Sequence, residues 1–155
     1  MKTATLIAAC CEAGARSVGC SEEVAKKMHR FGELVGIAFQ IKDDLFDYTT
    51  SNAIGKPVGI DIKEQKMTLP LIYALNNANE KDKKWLINSV KRYNHDKKRV
   101  REIIQYVKDN GGIEYTQKMM KQYSQEALDI LYEFPENEFR NSLETMVKYV
   151  IEREK

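Results

Sequence analysis

The chain has 155 residues, 43% of them apolar and 31% charged, with a formal net charge of +2. That size and apolar content suit one soluble domain with a real core, and so small a net charge selects no class of partner. Cys10, Cys11 and Cys20 are odd in number and form no Cys-x-x-Cys pair, which argues against a disulfide framework and a zinc site and fits a reducing cytosol.

Nearly every segment reads as helix. Lys2 to Val18 is rich in alanine and apolar, and Gly19 interrupts it. The start, Met1-Lys2 followed by Leu6 to Cys10, imitates a lipoprotein signal, but its apolar stretch is short and broken by Thr3 and Thr5, and no Gly/Ser tether follows Cys10. An apolar helix that begins without a cap or leading loop gives the expectation that further helices lie upstream. Ser21 is an N-cap candidate with Glu22 and Glu23 in the first turn, and it opens a long helix predicted to run to about Tyr48.

Gly55, Pro57 and Gly59 then force a loop, and Pro70 suits the first turn of a short helix ending near Asn76. Glu80 to Tyr93 forms another helix. Val100, Ile103, Ile104 and Val107 mark one face of the next, which stops at Gly111-Gly112. Met120, Tyr123, Ala127, Leu131 and Phe134 mark a sixth helix, and after Pro135 the series Phe139, Leu143, Met146, Val147 and Val150 marks a seventh. With no period-two strand, internal repeat or low-complexity tract, the expected fold class is all-α with about seven helices.

Charge is unevenly spread. Residues 79–123 carry 12 Lys/Arg against 6 Asp/Glu, yet these sit on polar helix sides without an aromatic or glycine-rich recognition motif, so nucleic-acid binding is not expected.

The chemistry concentrates in Asp43-Asp44-Leu45-Phe46-Asp47, at the end of an otherwise apolar stretch from Phe31 to Ile41. On a helix Asp43 and Asp47 share a face and Asp44 lies one step around. Carboxylates near a helix C-terminus meet the unfavourable end of the macrodipole, and unpaired charge on a mostly buried helix is costly, so the cluster calls for cations. Hard oxygen donors suit Mg²⁺, which keeps waters and is completed by substrate phosphates, so a diphosphate ligand is implied.

Gly32, Gly36, Gln40 and Asp44 recur every four residues along the same helix. The glycines read as close helix packing in preference to ligand contact, and Gln40 is expected to point its amide into the cavity of the aspartates. Downstream, Lys56, Lys63 and Lys66 lie on a Gly-containing loop, and a mobile basic loop can close over a metal-bound diphosphate. Spacing alone leaves open which of the three turns inward. Lys42, about 100° around the helix from its neighbours, is expected to point away and pair with a surface acid.

These residues resemble the C-terminal half of a trans-type polyprenyl diphosphate synthase, of octaprenyl-like kind. Phe39-Gln40 followed by Asp43, Asp44 and Asp47 matches the family's second aspartate-rich motif. Gly55-Lys56, Gly59, Asp61, Lys66, Thr68, Leu69 and Pro70 match its lysine-bearing loop, and Lys2-Thr3 matches its substrate-contacting pair. The resemblance implies an isoprenoid-synthase type of helical bundle, with residues 1–155 as the C-terminal portion of a single domain. It further implies Mg²⁺-dependent condensation of an allylic diphosphate with isopentenyl diphosphate. In that family Asp43, Asp44 and Asp47 would bind metal, and Lys2, Lys56 and Lys66 would hold the allylic diphosphate. Lys2, Thr3 and Gln40 would act catalytically, the last two stabilising charge near the reacting carbons.

The family's first aspartate-rich motif and its isopentenyl-diphosphate-binding residues belong upstream of Lys2, in proteins roughly twice this long. The chain is therefore expected to hold half a site, to be inactive alone, and to form a homodimer or larger assembly through apolar surface left uncovered. The alternative expectation is a non-catalytic partner subunit of a heteromeric prenyl synthase. A cytoplasmic location without an integral membrane segment completes the expectations.

Overall fold

The structure is a computed structural model that describes residues 2–49 and 58–153. Its elements are α1 (Lys2–Ser17), α2 (Glu22–Phe46), α3 (Ile60–Lys63), α4 (Leu69–Asn77), α5 (Glu80–Arg92), α6 (Lys97–Asp109), α7 (Gly112–Tyr132) and α8 (Glu138–Glu152). No strand occurs among the described residues, so the all-α expectation holds. The element that sequence patterning missed is α3. The described residues form two compact units, one of residues 1–42 with 118–155 and one of residues 43–117, and the divisions fall inside α2 and α7.

In the first unit, α1 lies against α2 through small residues. A Cβ placed on Gly36 would stand 2.5 Å from the Ala4 Cα, and one on Gly32 would stand 2.8 Å from the Ala8 Cα. The glycines thus serve helix packing, as their spacing suggested, and the paired contacts make α1 antiparallel to α2. Ala4 and Ala8 are buried together with Phe31, Leu34, Val35, Ala38 and Ile41 of α2. Ser21 accepts a hydrogen bond from the Val24 amide at 3.3 Å, which caps α2 as expected.

Ion pairs extend this packing. The Arg16 guanidinium bridges Glu12 and Glu22, and the His29 ring meets the Glu12 carboxylate at 2.7 Å. Met120, Ala127 and Leu131 of α7 and Val147 and Val150 of α8 turn inward, whereas Phe139, in the same series on α8, is 72% exposed. The Lys42 ammonium donates to the Ile151 carbonyl at 2.8 Å, near the C-terminus of α8, where a cation complements the helix dipole.

In the second unit, α4, α5 and α6 pack around Leu71, Ala74, Leu75, Leu86, Val90, Val100, Ile103, Ile104 and Val107, with Tyr48 and Ile62 in the same core. All four positions expected on the face of α6 are buried. Caps set the helix starts: Asn79 accepts from the Asp82 amide, and Asp96 accepts from the Lys98 and Arg99 amides. Gly112 opens α7 against the Pro70 carbonyl, too close for a side chain. No described helix is long and apolar enough to cross a membrane.

Glycine contacts make the fold testable. Gly36→Ala should lower stability by about 1–3 kcal/mol, because its methyl must displace the α1 backbone. Gly14→Ala, in the interior of α1 with nothing within 4 Å, should instead raise it by about 0.5–1 kcal/mol. Urea denaturation of the two variants measures both signs, and equal effects would contradict the antiparallel α1/α2 packing.

Candidate functional site

Within the second unit the end of α2 anchors α3. Asp47, just past Phe46, is 5% exposed, and its two carboxylate oxygens accept from the Ile60 amide at 2.8 Å and the Asp61 amide at 3.0 Å. The Gly59 amide donates to the Asp47 carbonyl at 3.0 Å. A carboxylate is thereby set on the N-terminus of α3, where unpaired amides and the positive end of the dipole favour it. Gly59 precedes α3 with φ 76°, a left-handed conformation that disfavours other residues, and any Cβ there would collide with Val100. Four residues of helix are therefore defined by one glycine and one acid from thirteen positions upstream.

Asp44 lies near the start of α4, where the backbone amide of Leu69, the first residue of that helix, favours its ionised form. Thr68 occupies the N-cap position, but its hydroxyl is shared with the buried Tyr48 hydroxyl at 2.8 Å and makes no capping bond. Burial together with nearby carboxylates pushes the Tyr48 phenol well above its usual range.

The electrostatics of Asp44 are those of a crowded acid. Half-burial pushes its carboxyl up to about 6, with the negative charges of Asp61 and then Asp43 adding to the shift, and the Leu69 amide and Lys66 opposing it. Lys66 stands beside the group, with its ammonium 3.2 Å from Asp61 and 2.6 Å from Glu64. Those acids, Glu64 foremost, raise the Lys66 ammonium above its ordinary value.

Asp43, Asp44, Asp61 and Lys66 are thus brought into one electrostatic neighbourhood, while the Asp47 carboxylate is engaged by α3. Among the described residues no group of three or more His, Cys, Asp or Glu side chains is gathered to hold a metal ion. Hard carboxylate oxygens that repel one another still suit a cation that takes one or two of them and completes its shell with water and phosphate oxygens, which is the habit of Mg²⁺. In donor chemistry the site fits that ion.

Of the loop lysines, Lys66 faces the acids, Lys63 lines a separate cavity with α6, and Lys56 lies outside the described residues. The sequence reading gave Asp61 no role. Its signal is its position, two residues after a glycine with positive φ, where an amide-capped helix turns it toward Asp44. The remaining candidates belong to the first unit. Lys2 and Thr3 occupy the first turn of α1, level with the Gly36–Gln40 turn of α2 by the antiparallel register; Lys2 is exposed, and Thr3 and Gln40 are partly buried.

The sequence pattern of the polyprenyl synthetase family matches residues 1–107. The chain is similar to heptaprenyl diphosphate synthase component 2 of Bacillus subtilis, at 37% identity over 98% of this chain and 43% of the relative. It is also similar to a short chain isoprenyl diphosphate synthase of Methanothermobacter thermautotrophicus, at 38% identity over 99% of this chain and 47% of the relative. Among solved structures, geranylgeranyl pyrophosphate synthase from Bacteroides thetaiotaomicron superposes with a TM-score of 0.89 at 42% identity, over 97% of this chain and 50% of that one. The chain spans about half the length of the relatives it matches.

The Asp44 shift carries a pH dependence. A carboxyl raised above its unfolded value stabilises the fold fully below about pH 4, and that contribution is lost as pH rises through about 6. After discounting for solvent screening the loss is on the order of 1 kcal/mol. In metal-free buffer Asp44→Asn should remove this part of the pH profile and be the more stable protein at pH 7. Thermal melts from pH 4 to 8 check it, and an unchanged profile would contradict the crowding of Asp44.

Proposed function

The chain belongs to the polyprenyl synthetase family, and from that premise we propose that it forms part of a prenyltransferase that elongates an allylic diphosphate with isopentenyl diphosphate. The observation that carries this reading is the crowded, half-buried Asp44 with Asp43 and Asp61 around it and Lys66 at its edge. Such a site is incomplete as a set of acids and becomes balanced when a divalent cation and a phosphate group enter together.

Asp43 and Asp44 are the residues that would hold Mg²⁺. When bound, that ion supplies positive charge to the diphosphate oxygens and eases departure of the leaving group. Lys66 shifts from Asp61 and Glu64 to the phosphate oxygens, an exchange of one charge-assisted contact for another. Asp47 keeps α3 in place, and with it Asp61. Lys56 joins Lys66 on the diphosphate. Lys2, Thr3 and Gln40 keep the roles that the family resemblance gives them, on the allylic diphosphate and near the reacting carbons. The 155 residues by themselves elongate nothing, since they match only about half of each relative.

A second reading rests on a specific observation, the name of the Bacillus subtilis relative as a component 2. On that reading the chain acts as a partner subunit of a heteromeric prenyl synthase, binding diphosphate without completing the chemistry. In either case the exposed Leu6, Val18, Phe139 and Tyr149 support association into a dimer or larger assembly. The three free thiols support a cytoplasmic location.

Isothermal titration with inorganic pyrophosphate tests the site. Binding should gain a component in Mg²⁺ that is absent in EDTA, and Asp44→Asn should weaken that component at least about tenfold. The same affinity in Mg²⁺ and EDTA, or in both proteins, would overturn the reading. Radiolabelled isopentenyl diphosphate supplied with an allylic diphosphate to the 155 residues alone should yield no elongated product.

A further inference from the structure

Outside the carboxylate site, the second unit holds a cavity of about 240 Å³ lined by Val58, Lys63, Lys97, Val100, Arg101 and Ile104. Lys97 and Arg101 are one turn apart on α6 and so project over the same strip of surface, while Lys63 comes from α3. The two walls are fixed to one another. Gly59 is pressed against Val100 and Ile104, and the Asn94 amide, ahead of α6, donates to the Lys63 carbonyl at 2.6 Å.

Among the described residues none of these three cations has a carboxylate partner, although their neighbours do: Lys66 pairs with Asp61 and Glu64, and Arg99 pairs with Glu102. Three like charges around one concavity, each without a carboxylate partner among the described residues, make a site that is balanced by an anion from outside. A guanidinium fork beside two ammonium groups matches a phosphate with several oxygens better than a single carboxylate. The floor is different in kind, since Val58, Val100 and Ile104 are aliphatic. The volume lies below the roughly 300 Å³ at which pockets for whole drug-sized ligands begin, so a head group and its first carbons fit.

We propose that this cavity binds the phosphate or diphosphate head of an aliphatic ester, with the oxyanion between Lys63, Lys97 and Arg101 and the first carbons on Val58, Val100 and Ile104. The site requires no metal and uses none of the acids at the end of α2. It is therefore separable from the carboxylate site in both composition and cation dependence.

The experiment is a titration of the 155-residue chain in EDTA with two soluble probes, inorganic pyrophosphate and isopentenyl diphosphate, followed by calorimetry and by the methyl resonances of Val100 and Ile104. Both probes should bind and move those methyls, the ester more tightly. Lys97→Gln combined with Arg101→Gln, at exposed positions of α6, should weaken both at least about tenfold, as should Lys63→Gln by a smaller factor, while Asp44→Asn leaves binding unchanged. Retention of Asp44→Asn binding separates this site from the carboxylate reading whichever way that reading falls. Equal binding by the double variant, or binding that leaves both methyls unmoved, would overturn the proposal. If pyrophosphate and the ester bind equally, the aliphatic floor has no part. Attachment only to phosphatidylcholine vesicles doped with phosphatidic acid, with neither soluble probe bound, would replace the cavity by a flat electrostatic contact.

Discussion

Carboxylates at the C-terminal end of α2 stand where a helix dipole is least favourable to them, and the surrounding fold answers each one differently. Asp47 takes the free amides of α3 on both its oxygens. Asp44, near the Leu69 amide at the start of α4, remains short of compensation, with Asp61 and Asp43 adding repulsion to its half-burial. One excess of negative charge thus does two things. It nucleates the turns that carry Asp61 and Lys66, and it leaves an acid whose ionised form is costly until a cation arrives. Structure and proposed chemistry share this cause.

The chain of dependence runs through α3. Without Gly59 in its left-handed conformation the backbone could not bring the Ile60 and Asp61 amides to Asp47, and the clash with Val100 would lift α3 from α6. With α3 seated, Asp61 faces the acids while Lys63 faces α6, so a helix of one turn distributes opposite charges to two places. Asp61 on one side feeds the carboxylate site, and Lys63 on the other completes the basic cavity. A change at Gly59 would disturb both.

Much of this was legible in the residue pattern. The four apolar positions of α6 have a helical period and are all buried. Gly32 and Gly36 announced a close helix neighbour, and Ala4 and Ala8 supply it. The α3 turn was not legible, because four residues leave no periodic trace and its cap comes from an acid thirteen residues earlier. For the same reason spacing could not separate Lys63 from Lys66, since their directions depend on a helix that the pattern did not reveal. Asp47 read as a member of an acidic triad, and only three-dimensional geometry shows its two oxygens on backbone amides. Phe139 carries the period of α8 and yet is exposed, because a repeat identifies a helix face without saying what covers it.

Asp44 resists ionisation up to about pH 6 and carries a costly charge above it, which cation and phosphate arriving together relieve. Carbonyl-carbon NMR titration of the Asp44 side chain, followed from acid to neutral pH with and without Mg²⁺ and pyrophosphate, measures it directly. The midpoint should lie near about 6 in the metal-free protein and fall toward the ordinary carboxylate range when both ions are present. A metal-free midpoint already in the ordinary range, or one that ignores both ions, would contradict it.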